Sequence, residues 1–220
     1  MIALPQEREV HIWRATTAPV GPEDLLVLNP EELERARRFR FEEHRGAYVH
    51  AHAMLRRTLS RYTSIAPSDI QFAYGPYGKP SLRDGENRFN LSHSRNQVVI
   101  AVACREVGID IEYMRDDIDF LDIARSFFSP REHALVAQAG KAIRQIFYRI
   151  WTCKEAYMKA TGMGFSLPSR SFDVCGDNGP GVLNDEKRGG WSLSELPCVD
   201  GFAAAVVIEG AHHGFQIFDS

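Results

Sequence analysis

The sequence predicts an α+β protein built as two similar lobes in one chain, residues 1–104 and 105–220. Three observations carry that reading. Each half runs a strand, then helical segments, then several strands, so a single α+β plan is used twice. Cys104-Arg105-Glu106 separates two strand-like runs and marks the boundary. The chain has 220 residues, 44% of them hydrophobic and 25% charged, enough for two small lobes with a buried core.

In the first half, Val10-His11-Ile12-Trp13-Arg14 reads as the opening strand. Asn29-Pro30-Glu31-Glu32 is a helix start, with Asn29 as cap, Pro30 at the first helical position and acids near the positive end of the dipole. Apolar positions from Leu33 to Leu59 continue one or two helices to Tyr62. Arg35, Arg37, Arg38 and Arg40 pair along the first of these with Glu31, Glu32 and Glu34. Residues 70–74 are strand-like, and Gly75-Pro76-Tyr77-Gly78-Lys79-Pro80 is turn chemistry that could aim the Lys79 ammonium, an ordinary surface lysine being the plain alternative. Phe89-Asn90-Leu91-Ser92-His93-Ser94 leads through Arg95-Asn96 into the apolar run 98–103, a buried strand. Ser92 and His93 are therefore expected where a strand gives way to a loop.

The second half opens on Val107-Gly108-Ile109-Asp110-Ile111-Glu112-Tyr113, whose alternation predicts a strand with two faces. Val107, Ile109, Ile111 and Tyr113 face a core, and Gly108, Asp110 and Glu112 share the other side. Residues 119–128 form a helix. Ser129-Pro130-Arg131-Glu132 starts another, with Ser129 as cap and Glu132 reaching back in a capping box. That box gives Glu132 a structural explanation. A long helix spans 142–161 and ends at Gly162. Its apolar stripe of Phe147, Ile150, Trp151, Tyr157 and Met158 is continued by Glu155, one turn beyond Trp151. A carboxylate on a core-facing stripe is costly unless paired or bound to metal. Lys159, one turn further, offers a helix salt bridge that leaves the direction of Glu155 unexplained. Strands are expected at 171–174, 191–196, 202–208 and 215–218, a turn at 177–181 and a polar loop at 185–190.

Composition narrows the function. A net charge of −3 gives no general attraction for nucleic acid or an anionic membrane. Any phosphate site must be a local cluster of basic groups. Cys104, Cys153, Cys175 and Cys198 lie far apart, without metal-finger spacing, and read as free thiols. Residues 1–10 lack the basic start and apolar run of a signal peptide, and no apolar stretch approaches a membrane span. The expected location is cytoplasmic.

Carboxylates at i and i+2 of one strand face have Cα atoms roughly 7 Å apart, within reach of one cation. A solvated acidic face is the plain alternative for that stretch alone. Joined by Glu155 and by Lys79, Lys154, Lys159 and His93, the acids form a recipe for transfer at phosphorus. Acids hold Mg²⁺, and the metal with lysines holds a diphosphate.

The blocks Phe89-Asn90-Leu91-Ser92-His93-Ser94, Gly108-Ile109-Asp110-Ile111-Glu112, Phe127-Phe128-Ser129-Pro130-Arg131-Glu132 and 151–159 (Trp151-Thr152-Cys153-Lys154-Glu155-Ala156-Tyr157-Met158-Lys159) resemble the motifs of 4′-phosphopantetheinyl transferases. The likeness is to the larger, surfactin-type class with two lobes in one chain, and Tyr77-Gly78-Lys79-Pro80 fits a further block. These blocks spread in family order from about Arg35 to Pro168.

The resemblance implies two lobes related by a pseudo-twofold axis, with coenzyme A bound between them. It implies Mg²⁺ ligation by Asp110, Glu112 and Glu155, with Glu155 as the base and Asp110 and Lys159 also catalytic. Lys154 and Lys159 would contact the pantetheine arm and phosphates. Arg35, Lys79, Ser92 and His93 would hold the nucleotide and its 3′-phosphate. The family's basic partner of Arg35 is replaced here by Glu32. The implied reaction moves the phosphopantetheine arm onto a serine of an acyl or peptidyl carrier protein and releases 3′,5′-ADP. A chain that completes its own cleft is expected to be a monomer. A Mg²⁺-dependent nuclease is the rival enzyme, against which the acidic balance and the lack of a basic stripe argue. A non-catalytic carrier-binding module is the other rival, opposed by the complete set of acids and lysines.

Overall fold

The computed structural model describes residues 2–7, 9–83, 85–176, 179–185, 188–211 and 214–219. The first half contains β1 (Glu9–Thr16), α1 (Pro22–Leu25), α2 (Pro30–Arg37) and the long α3 (Glu42–Thr63). A short ribbon of β2 (Phe72–Tyr74) and β3 (Pro80–Leu82) follows, then the hairpin β4 (Arg88–Ser94) and β5 (Gln97–Ala103). The second half repeats the order with β6 (Val107–Tyr113), α4 (Phe120–Phe127), α5 (Pro130–Gln138) and α6 (Ile143–Thr161). β7 (Asp173–Gly176), β8 (Gly179–Asn184), β9 (Trp191–Glu195), β10 (Phe202–Glu209) and β11 (Gly214–Asp219) complete the chain. It is a two-lobed α+β fold.

The strands form two principal sheets that face one another. One has the order β11-β1-β5-β4 and the other β6-β10-β9. Alternation decides what each strand buries. Val98, Ile100 and Val102 of β5 pack under α3 with Leu55, Leu59 and Trp13. Val99, Ala101 and Ala103 turn the other way and meet Val107, Ile109, Ile111, Val206 and Ile208 of the facing sheet. On the outer side of the second sheet, Ala203, Ala205 and Val207 pack against α6 through Ile150, Cys153, Ala156 and Tyr157. The layers thus run α3, sheet, sheet, α6. Burying a large aliphatic side chain in such a layer contributes about 1.5–3 kcal/mol.

Helix starts follow the sequence signals closely. Asn29 and Glu32 close one capping box, and Ser129 and Glu132 close a second. The helical pattern before Tyr62 resolves into two helices, α2 and α3, because residues 38–41 break the run.

The sheets depart from expectation at three places. Ser92 and His93 lie inside β4, and the hairpin turn is Arg95-Asn96 alone. Gly179, Pro180 and Gly181 begin β8 instead of making a turn; residues 177 and 178 of that expected turn, and 186 and 187 of the expected polar loop, lie outside the described residues. The final strand, β11, crosses back to pair in parallel with β1, from Glu9↔Gly214 to Arg14↔Asp219. The last strand of the second half thereby closes the edge of the first half's sheet.

Candidate active site

The site is built on the outer face of β6. Gly108, Asp110 and Glu112 point toward α6, as their period of two requires. Gly108 is needed for the approach: a Cβ there would run into the Ala156 carbonyl and the Ala160 backbone. The neighbouring strand leaves room beside the acids, since Ala205 lies opposite Asp110 and Ala203 opposite Glu112. Small residues on two strands thus let α6 settle close enough to bring Lys159 onto Asp110 and Glu155 within electrostatic reach of it.

Lys159 Nζ lies 2.6 Å from Asp110 Oδ1 and donates to Ser92 Oγ at 3.0 Å. Ser92 in turn donates to the same Asp110 oxygen at 2.8 Å. Ser94 donates to Glu112 Oε2 at 2.9 Å. The acids feel one another. Burial, then Asp110, push Glu112 up to about 7, with Glu155 adding to the rise and Ser94 and Lys159 opposing it. Burial and Asp110 likewise raise Glu155 to about 6, against the pull of Lys159. Both shifts have the cause expected when carboxylates are desolvated together.

His93, on the opposite face of β4 from Ser92, lies at the edge of this cluster. Its pKa is lowered by desolvation and by His52 and Lys159 nearby. His52 stacks on Tyr48 with ring centroids 4.1 Å apart, and the Arg35 guanidinium lies over the Tyr48 ring at 5.6 Å. Arg35, Tyr48 and His52 therefore form a trail of a cation and rings from α2 across α3, with His93 within electrostatic reach of His52. Tyr48 and His52 carried no sequence signal beyond helix periodicity. Glu32, in the place of a basic partner for Arg35, is buried and committed to the Asn29 amide, His52 and Arg56.

Two expected contacts do not reach the cluster. Lys154 is 2% exposed, and its ammonium is used up by Glu132 at 2.8 Å, the Ser169 carbonyl at 2.7 Å and the Phe172 carbonyl at 2.8 Å. It faces the opposite side of α6 from the acids, so contact with a pantetheine arm is corrected to an internal brace. Glu132 answers it while also accepting the Val174 amide at 2.8 Å. Lys79 is diverted in the same way. Its ammonium meets Glu106 Oε2 at 2.6 Å, the Ala160 carbonyl at 2.7 Å and the Val107 carbonyl at 3.1 Å. It pins the turn before β3 to the end of α6 and is not presented to a nucleotide.

Whether the acids suit a divalent cation rests on two observations. Their donors are hard carboxylate oxygens, the set that Mg²⁺ prefers. Asp110 Oδ2 is buried and has no hydrogen-bond partner among the described residues, a costly orphan that a cation would satisfy. As the side chains stand, no three acid, histidine or cysteine groups among the described residues converge to metal-holding distance. The Lys159 ammonium sits against Asp110 in the place of such a charge. The residues fit the ion chemically, with Lys159 and the Glu112 and Glu155 side chains having to turn to admit it.

An α+β fold that sets clustered acids and a lysine on one strand face has the chemistry suited to handling a phosphate group. Comparison with known proteins gives the family. Residues 106–207 match the family model described as the 4′-phosphopantetheinyl transferase superfamily, and residues 13–105 match that of the 4′-phosphopantetheinyl transferase N-terminal region. The 4′-phosphopantetheinyl transferase HetI of Nostoc sp. (strain PCC 7120) is 39% identical over 213 residues, 92% of this chain and 88% of that one. A putative 4′-phosphopantetheinyl transferase of Synechocystis sp. (strain PCC 6803), slr0495, is 36% identical over 74% of this chain and 68% of its own. The 4′-phosphopantetheinyl transferase Sfp of Bacillus subtilis (strain 168) is 36% identical over 68% of this chain and 67% of its own. The chain belongs to the 4′-phosphopantetheinyl transferase superfamily, in its Sfp-like class.

Proposed function

We propose that the protein transfers the 4′-phosphopantetheine arm of coenzyme A to a serine of an acyl or peptidyl carrier protein, in a Mg²⁺-dependent reaction that releases 3′,5′-ADP. The observation that supports it most is the cluster of Asp110, Glu112, Glu155 and Lys159, with its orphaned buried Asp110 oxygen. Asp110, Glu112 and Glu155 would hold the Mg²⁺. The ion, when bound, supplies charge neutralisation for the diphosphate and its leaving group. Residues 1–104 and 105–220 act as the two walls of the coenzyme A cleft.

The chain's own groups do the remainder. Glu155 accepts the proton of the carrier serine hydroxyl, a weak nucleophile at neutral pH. Burial has raised Glu155 to about 6, so above pH 7 it is ionised yet more basic than an ordinary glutamate. The serine oxygen forms its bond to the β-phosphorus of coenzyme A as the bond from that phosphorus to the bridging oxygen breaks. The electron pair leaves with 3′,5′-ADP. Lys159, released from Asp110, is placed to follow the phosphate charge. His93 and Arg35, at the two ends of the Tyr48–His52 trail, hold the nucleotide side.

Incubation of the purified protein with coenzyme A, Mg²⁺ and a panel of apo-carriers tests this by intact mass. The expected result is a gain of about 340 Da on a serine, abolished by chelation. Unmodified carriers across the panel, with coenzyme A present and Mg²⁺ in excess, would overturn it.

A further inference from the structure

β6 is the edge strand of its sheet, with β10 on one side only. Edge N–H groups left without a partner inside a protein are costly. Along the free edge of β6 the partners are side chains of β4, not another strand. Asn90 Oδ1 accepts the Ile109 amide at 2.8 Å, Ser92 Oγ the Ile111 amide at 3.4 Å and Ser94 Oγ the Tyr113 amide at 3.0 Å. Both strands repeat every two residues, so every step along one meets a step along the other.

The two serines do a second thing with the same oxygen. A hydroxyl has one proton to give and two lone pairs to receive. Ser92 gives its proton to Asp110, and Ser94 gives its proton to Glu112. Each serine therefore grips one dipeptide of β6, the carboxylate of the first residue and the amide of the next. Among the described residues Glu112 is held in this way by Ser94, whereas Asp110 has both Ser92 and Lys159.

We infer that Ser94 is a positioning residue for Glu112: through the Tyr113 amide and the Glu112 carboxylate together it sets the strand and aims the acid at the cation site. The inference rests on the reading of Asp110, Glu112 and Glu155 as Mg²⁺ ligands. It extends to the β4 side chains generally, whose alternation of Asn90, Ser92 and Ser94 is a template for the acidic strand. Groups that orient a ligating carboxylate in this manner typically cost 10–100-fold in metal affinity when removed.

The test compares Ser94→Thr, which keeps the hydroxyl, with its near-isostere Ser94→Val, which lacks it. Three quantities are read: the Mg²⁺ concentration for half-maximal activity, the coenzyme A KM at saturating Mg²⁺, and hydrogen exchange at the Tyr113 amide without metal. In Ser94→Val the Mg²⁺ requirement should rise about 10-fold or more while the coenzyme A KM stays within about twofold. Exchange at Tyr113 should quicken, and Ser94→Thr should restore both. A Mg²⁺-dependent wild type whose Ser94→Val variant keeps the same Mg²⁺ requirement overturns the inference alone. So does a rise confined to the coenzyme A KM, or unchanged exchange at Tyr113. A wild type fully active in chelator overturns the metal reading itself, and this inference with it.

Discussion

Lys159 Nζ stands 2.6 Å from Asp110 Oδ1, so the chain supplies its own cation where the most buried acid of the cluster needs one. Removing a partner from a buried charge leaves the remaining charge exposed to the full desolvation cost. A metal ion would take over that duty and free the lysine for phosphate.

That relationship sets the first expectation. Asp110→Ala and Glu155→Gln should each cut turnover at least ~100-fold, about 2.7 kcal/mol of barrier. Initial rates of carrier labelling at saturating coenzyme A and Mg²⁺ give the comparison. Near-normal labelling by either purified variant would remove that residue from the chemistry.

The raised acids set a second, in pH. Glu112 stands at about 7 and Glu155 at about 6 in the fold, against an ordinary 4.5. The folded chain therefore binds more protons than the unfolded one between pH 4.5 and 7. Their contribution to stability is fully present below 4.5 and is lost as pH rises through these values. Without metal, melting should fall by several degrees between pH 5 and 8, at about 2–4 °C per kcal/mol. Glu112→Gln should flatten the slope, and added Mg²⁺ should stabilise more at pH 8 than at pH 6. Equal slopes in wild type and Glu112→Gln would refute this.

The third concerns the nucleotide side. Desolvation, with His52 and Lys159 nearby, holds His93 below its usual value, so its ring is neutral at pH 7 and above. His93→Ala should raise the coenzyme A KM and leave turnover at saturation near normal. The size of that effect should not change between pH 7 and 8.5. An unchanged KM with collapsed turnover would place His93 in the chemistry instead.

A fourth separates the two lysines of α6. Lys154 and Glu132 form a pair with almost no exposure, 2% and 0%. Breaking such a pair from one side costs about 3–5 kcal/mol. Lys154→Ala should therefore melt far lower than wild type, while the folded fraction keeps its coenzyme A KM. Lys159→Ala should lose activity, and its melting, lowered because Asp110 is left buried without its cation, should recover on added Mg²⁺, whereas that of Lys154→Ala should not. Titration of coenzyme A against both variants, beside their melting curves, makes the comparison.

What the sequence disclosed and what it hid divide along a physical line. The alternation of Val107, Ile109 and Ile111 and the Ser129–Glu132 capping box are local patterns, and each is where its period or spacing places it. Lys79 and Lys154 lie away from the direction the sequence predicts, because a long flexible cation is placed by its acceptors. Those acceptors are backbone carbonyls of Ala160, Ser169 and Phe172, which only the tertiary fold brings near. The pairing of β11 with β1 was hidden for the same reason, since no local pattern names a parallel partner at the far end of the chain. Ser94 was visible as a letter in an alternating block, but its targets lay on another strand.

The last expectation tests how the site depends on one missing side chain. Gly108 precedes Asp110 on the same face of β6, and its Cβ position is filled by the backbone of α6 at Ala156 and Ala160. Backbone cannot yield as a flexible side-chain tip does, so Gly108→Ala must push α6 outward. Overpacking of this kind typically costs 1–3 kcal/mol. The displaced helix carries Glu155 and Lys159, so the damage should exceed the loss of stability. At a temperature where the variant is still folded, turnover should drop at least tenfold, and the Mg²⁺ requirement should rise with it. The coenzyme A contacts proposed for Arg35 on α2 and His93 on β4 should be spared, leaving the KM closer to normal than the turnover. Gly85→Ala is the fitting control: its Cβ would also be crowded, but by the flexible Leu82 side chain, far from the acids. Should Gly108→Ala retain full turnover, the close seating of α6 on β6 is not what assembles the acidic cluster.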